Sequence, residues 1–169
     1  MPRLLPSRFT EAYGRFWPPI QARCRRILGR TALAEEIAQE TFVRFWQAGP
    51  ALDATTETRT IMAWLYVTST RLATDALREG RLVSFDETVE APAACAASPA
   101  AVAQARSSIL ALSKRVSPEE IEAAILTRLD GLAHAEAGLL LGVSERTVRR
   151  LLERFDAQSA ELREEVMGG

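Results

Sequence analysis

The stretch VSPEEIEAAILTRLDGLAHAEAGLLLGVSERTVRRLLERF, residues 116–155, decides how the rest of the chain is read. Ser117, Pro118 and Glu120 form an S-x-x-E box with proline at the first helical position, so a helix starts at Ser117 and runs to Leu129. Asp130 and Gly131 close it. A short helix over 133–141 follows, then the turn Gly142, Val143, Ser144, then a longer helix from Glu145 with Val148, Leu151, Leu152 and Phe155 facing inward. Two helices joined by a three-residue turn that contains glycine are the pattern of a helix-turn-helix.

The spacing inside that turn sharpens the reading. Gly138, four residues before Gly142, lets the helices approach, Gly142 permits the sharp turn, and Val148 anchors the second helix on the first. Ser144 is placed to cap the second helix. Arg146, Thr147, Arg149, Arg150 and Arg154 then occupy its outer faces, where arginines can meet phosphates or guanine edges in a major groove. The plain alternative is a solvated basic face on an amphipathic helix. Residues 116–169 hold 6 Lys+Arg against 11 Asp+Glu, so the basic helix is a patch in an acidic surround. Such a patch suits weak, oriented DNA binding within a larger assembly better than tight binding alone.

Towards the N-terminus every segment keeps apolar residues at three- and four-residue spacing, and no β-branched run alternates with polar residues. The fold class is therefore all-α. A first helix spans about residues 8–29, with Pro18 and Pro19 expected to kink or split it. Thr31 caps a second helix over 32–48, which Gly49 and Pro50 end. A polar connection over 51–58 leads to a third helix with Ile61, Trp64, Leu65, Leu72, Ala76 and Leu77 on its apolar face, stopped by Gly80. The three helices form a bundle, residues 1–82. Large apolar residues then thin out into Ala, Ser and Pro, which marks residues 83–107 as a flexible linker, with helical character appearing near Ala100. The helix-turn-helix domain covers residues 108–169.

Two features of the bundle invite function. Glu35, Glu36, Gln39 and Glu40 make an acidic stretch that could dock a basic partner helix, against the reading of an ordinary solvated face. The third helix mixes Trp64 and Tyr66 with Arg59, Arg71, Arg78 and Arg81, as single-strand binders do, although Trp64 also fits the apolar stripe.

The chain has 169 residues, 47% of them hydrophobic, and a net charge of −1, which excludes global disorder and a uniformly basic nucleic-acid coat. Cys24 and Cys95 lie far apart with no metal-type spacing, so neither a disulfide framework nor a metal site is expected, and no cofactor is. Cys24 reads as core. Without a glycine-rich phosphate loop or a GxSxG, and with His134 as the one histidine, no catalytic role is expected. No apolar run reaches membrane-spanning length, and the first residues are too broken by charge and proline for a signal peptide, so a cytoplasmic protein without membrane insertion is expected.

Taken in order, three stretches resemble the extracytoplasmic-function (group IV) sigma factors of bacterial RNA polymerase, in the sigma-70 family. LAEEIAQETFVRFW, residues 33–46, resembles their helix DAEDLVQETFLRLW. AWLYVTSTRLATDALRE, residues 63–79, resembles WLYxIARNxAxDxLRR, and residues 116–155 resemble their C-terminal helix-turn-helix. The resemblance implies a region 2-like domain over 1–82 and a region 4-like domain over 108–169. By that resemblance Glu35, Glu36, Gln39, Glu40 and Phe42 dock core RNA polymerase. Trp64, Tyr66, Arg71, Asp75 and Arg78, with the loop before the third helix, lie on the −10 side, where promoter DNA is opened and a base extruded. Arg146, Thr147, Arg149, Arg150 and Arg154 read the −35 element. An anti-sigma factor is a further partner that the resemblance brings with it, although no residue identifies one. Departures from the pattern include Arg71 in place of Asn, Leu33 in place of an acidic residue, and Ala137-Gly138 in place of Ile-Ala. The alternatives are a polymerase-independent helix-turn-helix regulator, which would dimerise to read half-sites, and a helical adaptor that binds a protein without DNA.

Overall fold

The computed structural model describes residues 6–29, 32–48, 57–81 and 98–168. Among these all regular structure is helical: α1 (Pro6–Leu28), α2 (Ala32–Ala48), α3 (Thr58–Arg78), α4 (Pro99–Leu112), α5 (Pro118–Ala124) running into a π-helical turn (Ile125–Leu129), α6 (His134–Leu141) and α7 (Glu145–Met167).

Helix α1 buries Ala12, Phe16, Ile20, Cys24 and Ile27, a stripe at steps of three and four. It runs unbroken through Pro18 and Pro19, against the expectation that they would split it. Both prolines are exposed, and the carbonyls they leave unpaired, on Gly14 and Arg15, belong to exposed residues that water can reach. Open space around Gly14 leaves room for the Pro18 ring, while the buried stripe holds the opposite side.

Helix α2 buries Leu33, Ala34, Ile37, Ala38, Phe42 and Phe45 against α1 and α3. Phe42 sits edge-on to Tyr13 with ring centroids 5.0 Å apart. Helix α3 ends as expected: Gly80 takes φ 69° and the Arg81 amide reaches back to the Ala76 carbonyl at 3.1 Å. The expected cap Thr31, the stop at Gly49 and Pro50, and the connection over 51–56 lie outside the described residues, as do 82–97 of the expected linker.

The last part of that linker is a helix. Ser98 accepts the Ala101 amide at 3.2 Å, Pro99 follows at the first helical position, and α4 buries Val102, Ile109 and Leu112. Those three anchors are sparse among Ala and Ser, so composition alone hid the face. A capping box fixes the start of α5, with Glu120 N–H donating to Ser117 Oγ at 3.3 Å and Ser117 N–H to Glu120 Oε2 at 3.2 Å. Its last turn widens, the Asp130 amide bonding the Ile125 carbonyl at 3.0 Å.

Helices α1 to α3 and helices α4 to α7 do not stand apart. Helix α3 lies against α5 and α6, and buried residues from Ala12 to Phe155 form one continuous cluster.

Candidate functional site

The helix-turn-helix is built by three local devices. Gly142 takes φ 70°, the left-handed region that glycine enters without a Cβ penalty. A Cβ on Gly138 would stand 2.8 Å from the Val143 carbonyl oxygen, so the bare glycine is what allows α6 and the turn to close. Ser144 Oγ accepts the Thr147 amide at 3.1 Å and starts α7. Val148 and Phe155 are fully buried, which fixes the roll of α7. That roll leaves Arg146, Arg149, Arg150 and Arg154 exposed and Thr147 half-buried beside the cap. Arg149 is paired with Glu145 one turn back. The five residues thus share the outer side of one helix, an arrangement suited to phosphates and base edges.

The acidic stretch of α2 is more engaged than its sequence suggests. Glu35 accepts from Gln21 Nε2 at 2.8 Å and from Arg25 Nε at 2.9 Å, both on α1. Those hydrogen bonds, Gln21 first and then Arg25, hold its carboxyl below the usual carboxylate range. Glu36 pairs with Arg81 beyond the end of α3, and Glu40 with Arg44 at 2.9 Å. Gln39 is exposed. A polar cleft of about 420 Å³ between α2 and α3 is lined by Glu36, Gln39, Glu40, Arg44, Asp75 and Arg81. Phe42 is 2% exposed and belongs to the aromatic core under that face.

The residues expected on the −10 side are spread along α3. Trp64 is half-buried with its ring 5.5 Å from Phe45, and Asp75 opens onto the polar cleft. Tyr66 lies beneath the Arg23 guanidinium, 4.6 Å from the ring centroid. Arg71 stands 4.0 Å from Glu122 on α5. Arg78 donates to the Val116 carbonyl at 2.5 Å. Burial raises the Glu122 carboxyl above its ordinary value, with Arg71 opposing the shift and Glu119 and Asp75 adding to it.

Sequence reasoning missed a heavily bonded, buried side chain on α1. Arg23 on α1 is 1% exposed and its Nε donates to both Asp130 carboxylate oxygens, at 3.1 and 3.0 Å. Its remaining nitrogens reach Asp130 Oδ2 at 2.7 Å and, at 2.6 Å each, Ser69 Oγ and Thr70 Oγ1. Arg26 donates to Asp130 Oδ1 at 2.6 Å. The partners are 107 positions apart in sequence, and nothing local marks either as more than a helix-face arginine and a helix-stop aspartate.

Among the described residues no group of three His, Cys, Asp or Glu is placed to hold a metal ion, and no helix is long and apolar enough to cross a membrane.

Comparison with known proteins falls on the same residues. Residues 12–82 match the family model of sigma-70 region 2. The chain is 28% identical over 143 residues to the RNA polymerase sigma factor CarQ of Myxococcus xanthus, covering 83% of this chain and 80% of that protein. Its fold is similar to that of CnrH, solved in complex with the cytosolic domain of CnrY. The TM-score is 0.52 at 23% identity, over 91% of this chain and 86% of that one. The match to region 2 falls on the three-helix bundle, and a helix-turn-helix follows it in the chain. The chain is thus similar, in its first three helices, to region 2 of sigma-70 proteins and, over most of its length, to an RNA polymerase sigma factor.

Proposed function

We propose that the chain divides promoter recognition between its two helical units. The acidic face of α2, centred on Glu36, Gln39 and Glu40, docks core RNA polymerase, with Glu35 shaping that face from its bonds to α1 and Phe42 supporting it from beneath. Trp64, Tyr66, Arg71, Asp75 and Arg78 serve the −10 side, and Arg146, Thr147, Arg149, Arg150 and Arg154 serve the −35 side. The unit boundaries are 1–82 and 108–169 in this reading, so that α4 begins in the linker and ends in the second unit. The observation that carries it is the match of residues 12–82 to sigma-70 region 2, over the three helices that bear the first two sets.

The role is placement and strand opening, with no covalent step performed by this chain, carried out in the cytoplasm where polymerase and promoter are. CnrH was solved with the cytosolic domain of another protein, which supports an anti-sigma factor as a third partner here.

The test mixes the purified chain with sigma-free bacterial core polymerase and fragmented genomic DNA, and maps transcript 5′ ends. Discrete starts that share paired upstream elements are expected. Failure to co-elute with core, with no specific starts, would overturn the docking assignment and favour a stand-alone helix-turn-helix regulator.

A further inference from the structure

We propose that Glu145, paired with Arg149, is a specificity-determining residue of the −35 contact, and that the pair selects a G·C base pair in the major groove. The inference rests on the proposed placement of α7 at that element.

The exposed side of α7 carries two ridges of different charge. Arg146, Arg150 and Arg154 follow one another at steps of four, so one ridge holds only cations. Glu145 and Arg149 make the neighbouring ridge, joined to each other as an ion pair with side-chain exposures of 44% and 60%. Thr147 is taken up by the cap instead, its amide donating to Ser144 Oγ at 3.1 Å and its hydroxyl standing 2.9 Å from the same oxygen.

Arg149 has a choice of partner, since Glu153 stands four residues after it as Glu145 stands four before. It is bonded to Glu145, and acid before base is the favoured order along a helix. The pair is thereby drawn to the start of α7, the end of a recognition helix whose residues meet base edges.

A carboxylate there finds nothing to accept from along the DNA backbone, whose phosphates repel it. The donors within the major groove are the amino groups of cytosine and adenine. The ion pair leaves both members capacity to spare, because it uses one guanidinium nitrogen and one carboxylate oxygen, while Arg149 keeps further N–H donors and Glu145 a second oxygen. The unit is therefore a run of donors that ends in an acceptor. Across the major groove a G·C pair offers the complement, the N7 and O6 acceptors of guanine followed by the N4 amino donor of cytosine. An A·T pair sets its donor between two acceptors, so one group of the unit would meet its like. Facing the oxygen of a wrong base, the carboxylate is repelled, so Glu145 rejects as well as accepts.

The test uses the full chain with core polymerase. The upstream element of a start mapped for the parent is randomised, and transcripts are counted for each sequence. The parent is expected to favour G·C at one position by about fivefold or more. Glu145→Ala and Arg149→Ala should each flatten that same position and leave the others, with the double variant losing no more there than the larger single loss. Glu145→Gln, whose amide oxygen still accepts, should keep part of the preference. A uniform rise over all sequences in Glu145→Ala would mean a charge that only repels phosphate, and unchanged preferences would mean a first-turn acid that only serves the helix dipole. Either outcome overturns the inference, as does relaxation at two different positions or an A·T preference at the shared one. Should Glu145→Ala lose its helical circular dichroism, Glu145→Gln decides by whether the preference at that position falls. A parent that yields no starts, or whose starts ignore the upstream element, overturns the promoter reading and this inference with it.

Discussion

The carbonyl oxygen of Val143 lies 2.8 Å from the point where a Cβ on Gly138 would stand. That contact is to backbone, which cannot swing aside as a long side chain would. Gly138→Val is therefore expected to cost about 2 kcal/mol or more by overpacking, only slightly offset by the better helix propensity of valine. Urea unfolding checks it, and Ser144→Ala, losing only the cap, should cost about 1 kcal/mol. Equal midpoints for Gly138→Val and the parent would contradict the geometry.

Glu122 gives the chain a stability term of unusual sign. Its raised pKa means the folded state binds the proton more tightly than the unfolded state does. Between the ordinary carboxylate value and the raised one, stability falls as pH rises, and the full cost is present above that window. Glu122→Gln is expected to raise the urea midpoint at neutral pH and to leave it unchanged below the carboxylate range. A gain of the same size at both pH values would place its origin elsewhere.

On α7, the exposed arginines should sort by what they touch. Replacing one that meets phosphate by Ala should weaken holoenzyme binding similarly on all promoters and reduce the salt slope by about 1. Replacing one that meets a base should cost about 1–3 kcal/mol and relax the preference at a single position of the −35 element. Arg146 and Arg150 are the informative pair, because Arg149 is already held by Glu145. No change in promoter affinity or start-site choice on replacing both would remove α7 from the promoter.

Burial pushes the Cys24 thiol up to about 11, so little thiolate exists at neutral pH and access is closed as well. In a Cys95→Ser background, modification of Cys24 by a thiol reagent should proceed no faster than unfolding, and should accelerate through the urea transition. Rapid modification of the folded chain would show α1 loosening from the core.

The helix-turn-helix was legible because its signals are local: a capping serine, a glycine with positive φ and a small residue four positions earlier sit within seven residues of one another. Ser117, Glu120 and Gly80 were legible for the same reason. Phe42 was harder, since an aromatic residue within an acidic run reads equally well as a surface contact or as core. Pro18 and Pro19 misled because their penalty depends on whether water reaches the carbonyls four residues earlier, which is a property of the packed bundle. Arg23 with Asp130, and Arg71 with Glu122, had no local trace at all. Each joins elements whose meeting is decided only when the two units pack.

Helix α7 spans 23 residues, about 35 Å, far longer than the turn it follows requires. Its near end carries Arg146, while its far end shares a groove with α4, where Ser107, Ser108 and Ala111 face Ser159, Leu162 and Met167. Helix α4 is also the first helix after α3 among the described residues. A displacement of α4 therefore acts on the far end of α7, and the end that answers it is the one that carries Arg146.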